Sequence, residues 1–123
     1  MARKSLPPRL RVRLDLGRAI AIGPGKADLL AAIAETGSIS AAGRSMAMSY
    51  KKAWYLIDTM NQCFRTPLVV ASKGGSSRGG AQLTRMGQKV LDLYRSIENR
   101  AAKAAARDLE AISGLVADEP PEG

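Results

Sequence analysis

The chain has 123 residues and a mass of 13.0 kDa, the size of one domain. It carries 19 Lys and Arg against 11 Asp and Glu, a net charge of +8, and no histidine. The missing imidazole excludes a His general base, a Ser–His triad and a His-ligated metal. The single cysteine, Cys63, excludes an internal disulfide, a thiolate zinc site and a Cys-ligated iron–sulfur cluster.

The charge is unevenly spread. Residues 1–90 hold 15 basic and 4 acidic residues, net +11, whereas residues 91–123 hold 4 basic and 7 acidic, net −3. No acid lies between Asp58 and Asp92, a stretch that contains Arg65, Lys73, Arg78, Arg85 and Lys89. A polyanionic partner would therefore meet the first ninety residues. The N-terminus lacks the apolar stretch of a secretory signal, and no apolar run approaches the ~20 residues that span a bilayer. With a free Cys63, the expectation is a cytoplasmic chain that does not engage a membrane.

Residues 1–7 read as an N-terminal arm. From Arg9 to Leu16 polar and apolar residues alternate, which predicts a strand with Leu10, Val12, Leu14 and Leu16 on one face and Arg9, Arg11 and Arg13 on the other. The segment 19–22 can pair with it as a ribbon. Pro24 suits a helix start, Leu29, Leu30 and Ile33 recur at helical spacing, and Gly37 is a C-terminal stop. Ser38 can cap a second helix with Ala41, Ala42 and Met46 inside. Ala47-Met48 makes a tight connection, and Ser49 can cap a third helix from Tyr50 to about Gln62, with Ala53, Ile57 and Met60 as its core face.

Beyond Pro67, Leu68-Val69-Val70-Ala71 reads as a strand and Ala81-Gln82-Leu83 as its return. Between them the run Lys73–Gly80 has four glycines in eight residues, so 68–83 is predicted to be a hairpin with a glycine-rich tip. Thr84 caps a last helix read as unbroken from Arg85 to Ile112, roughly 40 Å long. Val90, Tyr94, Ile97, Ala101 and Ala104 recur along it as a heptad stripe, which predicts pairing with a second copy. Residues 114–123 read as a disordered acidic tail.

The predicted class is mainly α with small β-hairpins: a winged helix-turn-helix over 8–83 with a long dimerisation helix over 84–113. In that arrangement the third helix enters a major groove of double-stranded DNA through its first turn. The expected contacts are Ser38, Ser49, Tyr50, Lys51, Lys52 and Tyr55, with Lys73 and Arg78 contributed by the wing. Lys51 and Lys52 can reach phosphates or guanine edges, and Ser49 and Tyr50 can donate to phosphates or base edges. The expected dimer contacts are Val90, Tyr94, Ile97 and Ala101. No catalytic group, cofactor or metal site is predicted.

Gly37-Ser38-Ile39-Ser40-Ala41-Ala42, Ser49-Tyr50-Lys51-Lys52-Ala53-Trp54, Met60-Asn61 and Leu83-Thr84-Arg85-Met86-Gly87 resemble the DNA-binding domain of ModE-type molybdate-responsive regulators. The broader pattern is similar to the LysR-type winged helix. The resemblance covers about residues 8–110 and implies a homodimeric transcription regulator built on the long helices and N-terminal strands. Members of that family continue into β-barrel modules that bind molybdate, marked by a Ser-Ala-Arg-Asn type motif absent from these residues. The expectation is a stand-alone DNA-binding member that does not itself bind molybdate. The alternative is an adaptor or antagonist that pairs with a full-length regulator.

Other residues have plainer readings. Trp54 is expected to pack between the third helix and the wing or first strand rather than to touch DNA, perhaps one patch with Tyr50, one turn away. Met46 and Met48 are expected to pack helices, and Cys63 to be a small buried hydrophobe. The glycine-rich run has no Gly-Lys-Ser/Thr and is not a P-loop. Asp58, Asp92 and Glu98 read as solvated or ion-paired, and the Arg9/Arg11/Arg13 row fits a solvated strand face and a phosphate-contacting one equally well.

Overall fold

The computed structural model describes residues 8–17, 20–72 and 80–119. The order is β1 (Leu14–Leu16), β2 (Ile20–Ile22), α1 (Pro24–Thr36), α2 (Ile39–Ser45), α3 (Tyr50–Cys63), β3 (Val69–Ala71), β4 (Ala81–Leu83), α4 (Arg85–Ala104) and α5 (Ala106–Ser113). The strands form two antiparallel ribbons, β1 with β2 and β3 with β4. Leu14 faces Ile22 in the first, and Val69 faces Leu83 in the second.

The sequence punctuation acts as its chemistry requires. Pro24 opens α1, where its missing N–H costs no helical hydrogen bond, and Gly37 ends that helix at φ 70°, with its N–H on the Ile33 carbonyl. The Oγ atoms of Ser38, Ser49 and Thr84 accept from the backbone N–H groups of Ala41, Lys52 and Gly87, capping α2, α3 and α4. Leu29, Leu30 and Ile33 of α1, Ala42 of α2, and Ala53, Ile57 and Met60 of α3 meet in one buried core. Ile22, Leu68, Val69, Ala81, Leu91 and Tyr94 complete it. Fully burying a Leu or Ile contributes about 1.5–3 kcal/mol, so this apolar cluster is what holds the short helices in place.

Three expectations change. The first strand is regular only over Leu14–Leu16, because its partner ends at Ile22, where Gly23 and Pro24 start α1. Leu10 and Leu16 are exposed, and only Val12 and Leu14 of the expected apolar face are half-buried. The last helix is divided at Ala105 (φ −95°, ψ 3°), whose N–H still reaches the Ala101 carbonyl, so α4 hands over to α5 through a one-residue break. Cys63 is exposed rather than buried, since α3 runs past its Met60 anchor before the chain turns. Met46 and Met48 do pack against the core, partly buried.

The heptad stripe is divided by packing within the chain. Tyr94 is 1% exposed and its hydroxyl donates to the Val12 carbonyl at 2.6 Å, tying α4 to the N-terminal segment. Val90 packs against the core and Ala101 is half-buried, while Ile97 and its neighbour Leu93 face outward. Arg95 adds a second tie across to α1, donating to Asp28 at 2.7 Å and to Glu98 at 3.0 Å. Of the other acids, Asp58 and Asp92 accept from Gln62 and Gln88.

Gly87 marks the tightest approach. A Cβ at that position would stand 2.1 Å from the Leu68 carbonyl oxygen, which is backbone and has no rotamer to yield. Helix propensity alone favours Gly87→Ala by about 1 kcal/mol. Overpacking opposes it by about 1–3 kcal/mol or more, so the variant is expected to be less stable in urea unfolding. An unchanged or raised midpoint would contradict this packing.

Burial, then the nearby Glu98 carboxylate, raises the Tyr94 phenol above its usual value of 10.0. The folded state therefore holds this proton after the unfolded chain has released it. Stability is complete below about pH 10 and falls as pH rises through the folded value. Tyr94→Phe is expected to lose about 0.5–1.5 kcal/mol at neutral pH and to flatten that alkaline decline, measured by unfolding at pH 7 to 11.

Candidate nucleic-acid interface

The candidate face begins at the joint between α2 and α3. Gly43 lies against the start of α3, where a Cβ would be 3.3 Å from both the Ala53 Cβ and the Met48 carbonyl oxygen. The connection is closed by the Met46 and Met48 N–H groups, both on the Gly43 carbonyl at 3.0 Å, with Ala47 in the left-handed region at φ 54°. That conformation is rare for a residue with a Cβ, so the turn is held by the helices on either side. The result fixes the direction in which α3 leaves α2.

On α3 the buried stripe Ala53, Ile57 and Met60 leaves the opposite side to solvent. At 100° per residue, Lys51 and Tyr55 stand nearly opposite that stripe. Lys52 lies on one flank, and Tyr50 and Trp54 on the flank nearer the wing. Lys51 and Lys52 are exposed, as are Tyr50 (56%), Trp54 (49%) and Tyr55 (61%). Ser49 is exposed with its Oγ engaged at the Lys52 N–H, and Ser38 is half-buried with its Oγ on the Ala41 N–H at 3.0 Å. The structure thus gathers Ser49, Tyr50, Lys51, Lys52 and Tyr55 on one capped helix end and gives Ser38 a cap to hold. Lys73 and Arg78 lie outside the described residues.

The wing stands beside α3. The Ala81 N–H donates to the Gly37 carbonyl at 2.9 Å, and Gly80 bridges to Ser38, so β4 is attached to the α1–α2 joint. From the other side Asn61 clamps β3. Its side-chain oxygen accepts from the Leu68 and Val69 N–H groups at 2.8 and 3.1 Å, and its amide donates to the Val69 carbonyl at 3.0 Å. Between α3 and the wing lies a groove of about 350 Å³, lined among others by Tyr50, Trp54 and Val70. Trp54 therefore packs toward the wing as expected, while about half of it remains in solvent.

Asn61 is the functional residue whose role sequence reasoning missed. The signal available was a polar amide one position after Met60, on the edge of a buried stripe, shortly before a strand whose first N–H groups need acceptors. The Asp58 carboxylate, near the far end of the groove, is the one acid of α3. Among the described residues no three His, Cys, Asp or Glu gather to hold a metal ion, and no helix is long and apolar enough to cross a membrane.

Three helices with a tight second joint and a β-ribbon wing define a winged helix-turn-helix domain. Residues 26–88 match the bacterial regulatory helix-turn-helix proteins of the lysR family, and the chain belongs to that family. Two solved structures share the fold. One is a crystal structure of a CbnR_DBD-DNA complex (TM-score 0.55, 22% identity, 72% of this chain and 95% of that one). The other is a LysR family transcriptional regulator (TM-score 0.53, 17% identity, 76% of this chain and 30% of that one).

Curated relatives carry the ModE resemblance. The chain is 46% identical over 82 residues to the molybdenum-pterin-binding protein MopB of Rhodobacter capsulatus, covering 67% of this chain and 30% of that protein. It is 39% identical over 103 residues to the molybdenum transport protein ModE of Azotobacter vinelandii, covering 84% and 38%. It is 42% identical over 81 residues to the DNA-binding transcriptional dual regulator ModE of Escherichia coli, covering 66% and 31%. The chain spans about a third of the length of these relatives.

The clamp gives a local test. Asn61→Ala leaves two N–H groups at buried residues without their acceptor, each costing about 1–3 kcal/mol. The Leu68 and Val69 amides are expected to exchange with deuterium much faster in the variant while α1 amides are unchanged. Equal protection at Leu68 and Val69 would remove Asn61 from its role.

Proposed function

We propose that this chain is a sequence-specific double-stranded-DNA-binding transcription regulator that works as a homodimer, with α3 as its recognition helix, and is not an enzyme. The observation that carries the reading is the capped first half of α3. It holds Tyr50, Lys51, Lys52 and Tyr55 exposed on a helix whose other side is locked into the core. Cations on that surface attract phosphate, and a helix of this width fits a major groove. The +11 balance of residues 1–90 favours the same polyanion, and the printed titles of the CbnR complex and of the Escherichia coli relative name DNA.

Dimerisation is supported by the outward row on α4. Leu93 and Ile97 remain exposed after Tyr94 has joined the chain's own core, with half-buried Val90 and Ala101 beside them; α5 and the residues after it add Ile112 and Leu115. Two copies joined there would set their α3 helices on half-sites about 34 Å apart or a multiple of that, so a roughly palindromic operator is expected. The expected location is the cytoplasm, where an exposed thiol such as Cys63 stays reduced. These residues are proposed to bind DNA without molybdate, and isothermal titration of molybdate into the chain should give no binding heat.

The test is binding to duplex DNA as a function of salt. Lys51→Ala and Lys52→Ala should each weaken binding. Where the lost contact is to phosphate, the loss is similar on all sequences and the slope of log K against log salt becomes shallower by about one. Sedimentation of the free chain should give about twice 13.0 kDa. Unchanged affinity in both variants would remove α3 from recognition. A chain that binds no duplex but joins a full-length regulator would replace this reading with that of an adaptor.

A further inference from the structure

Trp54 is the largest apolar group on the candidate face, and its placement is not explained by core packing. The adjacent Ala53 is fully buried, yet 49% of Trp54 stands in solvent, beside an even more exposed Tyr50. With Ile39 and Val70 these rings line one apolar wall of the groove between α3 and the wing. Leaving so much aromatic surface wet forgoes burial that elsewhere in this fold is complete.

We propose that this wall, Trp54 with Tyr50 beside it, reads the C5-methyl groups of thymines in the major groove. The inference rests on the DNA-binding reading above and adds to it the residues that discriminate sequence. Lys51 and Lys52 bring a polyanion to the same helix end. Contacts to phosphate position a protein on the duplex and carry no sequence information. What the major groove offers an apolar surface is the thymine methyl group, the one apolar substituent on the edges of its base pairs. Asp58, at the lip of the groove, repels a phosphate there, so the wall meets base edges rather than backbone. The occupant is therefore the thymine-bearing edge of duplex DNA.

The experiment uses the tightest-bound duplex selected from a random pool, synthesised with thymine or with deoxyuridine at the positions covered by α3. A control duplex carries deoxyuridine in the flanks alone. Uracil keeps every hydrogen-bonding group and removes the methyl. Burial of a methyl is worth roughly fourfold in affinity, so the wild-type chain should bind the uracil duplex about fourfold more weakly per methyl read, with an unchanged salt slope. The flank control should bind as the parent does.

Trp54→Ala should bind the two duplexes equally, Trp54→Phe should keep most of the preference, and Tyr50→Ala should reduce it. Lys51→Ala should keep the preference while making the salt slope shallower. Thermal melts of each variant confirm that it is folded, and Trp54→Phe and Tyr50→Ala carry the test should Trp54→Ala unfold. Equal binding of thymine and uracil duplexes by the wild type, a selected site with no thymine under α3, or a preference that survives in folded Trp54→Ala or in Tyr50→Ala would each overturn the inference while leaving DNA binding intact. A chain that binds no duplex at all overturns the DNA-binding reading and this inference with it.

Discussion

The peptide groups of Pro67 and Leu68 are where the parts of this domain are tied together. The Leu68 N–H is held by Asn61 of α3, and its carbonyl accepts from the Thr84 N–H at 2.9 Å. The Thr84 hydroxyl donates to the Pro67 carbonyl at 2.7 Å while accepting from the Gly87 N–H, so the cap of α4 is also a strap across the start of the wing. Gly87 then closes over the Leu68 carbonyl at a distance only glycine allows. Recognition helix, wing and last helix are thereby locked to one short segment. Buried backbone groups left unpaired there would cost about 1–3 kcal/mol each, which makes the junction intolerant of small changes.

That junction gives the exposed end of α3 its direction. The Gly43–Ala53 approach sets the angle between α2 and α3, and the Asn61 clamp fixes the wing against the same helix. The groove between them therefore has a defined shape. Charge and shape then divide the work of the proposed function. Lys51 and Lys52 supply attraction, and the aromatic wall of Tyr50 and Trp54 supplies discrimination. The acidic last third of the chain is left to α4 and α5, with Leu93 and Ile97 outward.

Much of this was legible in the sequence because local chemistry and the global fold agree. Ser38, Ser49 and Thr84 are good caps placed directly before apolar periodicity, and Ala53, Ile57 and Met60 could be buried in only one way once α3 existed. The errors came where a tertiary neighbour decided the outcome. Alternation over residues 9–16 described a strand longer than its partner could pair. The heptad count treated Tyr94 as part of one continuous stripe, whereas the Val12 carbonyl draws its hydroxyl into the chain's own core. Cys63 was judged by residue type, although its position past Met60 sets its exposure. Gly87 and Asn61 could not be assigned roles, because each answers to the Leu68 backbone, far away along a different element.

The central claim is that α3, not the outward row of α4, is the surface that meets DNA. Titrating duplex DNA into isotopically labelled chain and following backbone amide resonances tests it residue by residue. The account predicts that amides from Ser49 to Tyr55 shift first and furthest, with Leu93 and Ile97 nearly unmoved. Shifts concentrated on α4 and α5, with Tyr50 to Tyr55 unchanged, would contradict it.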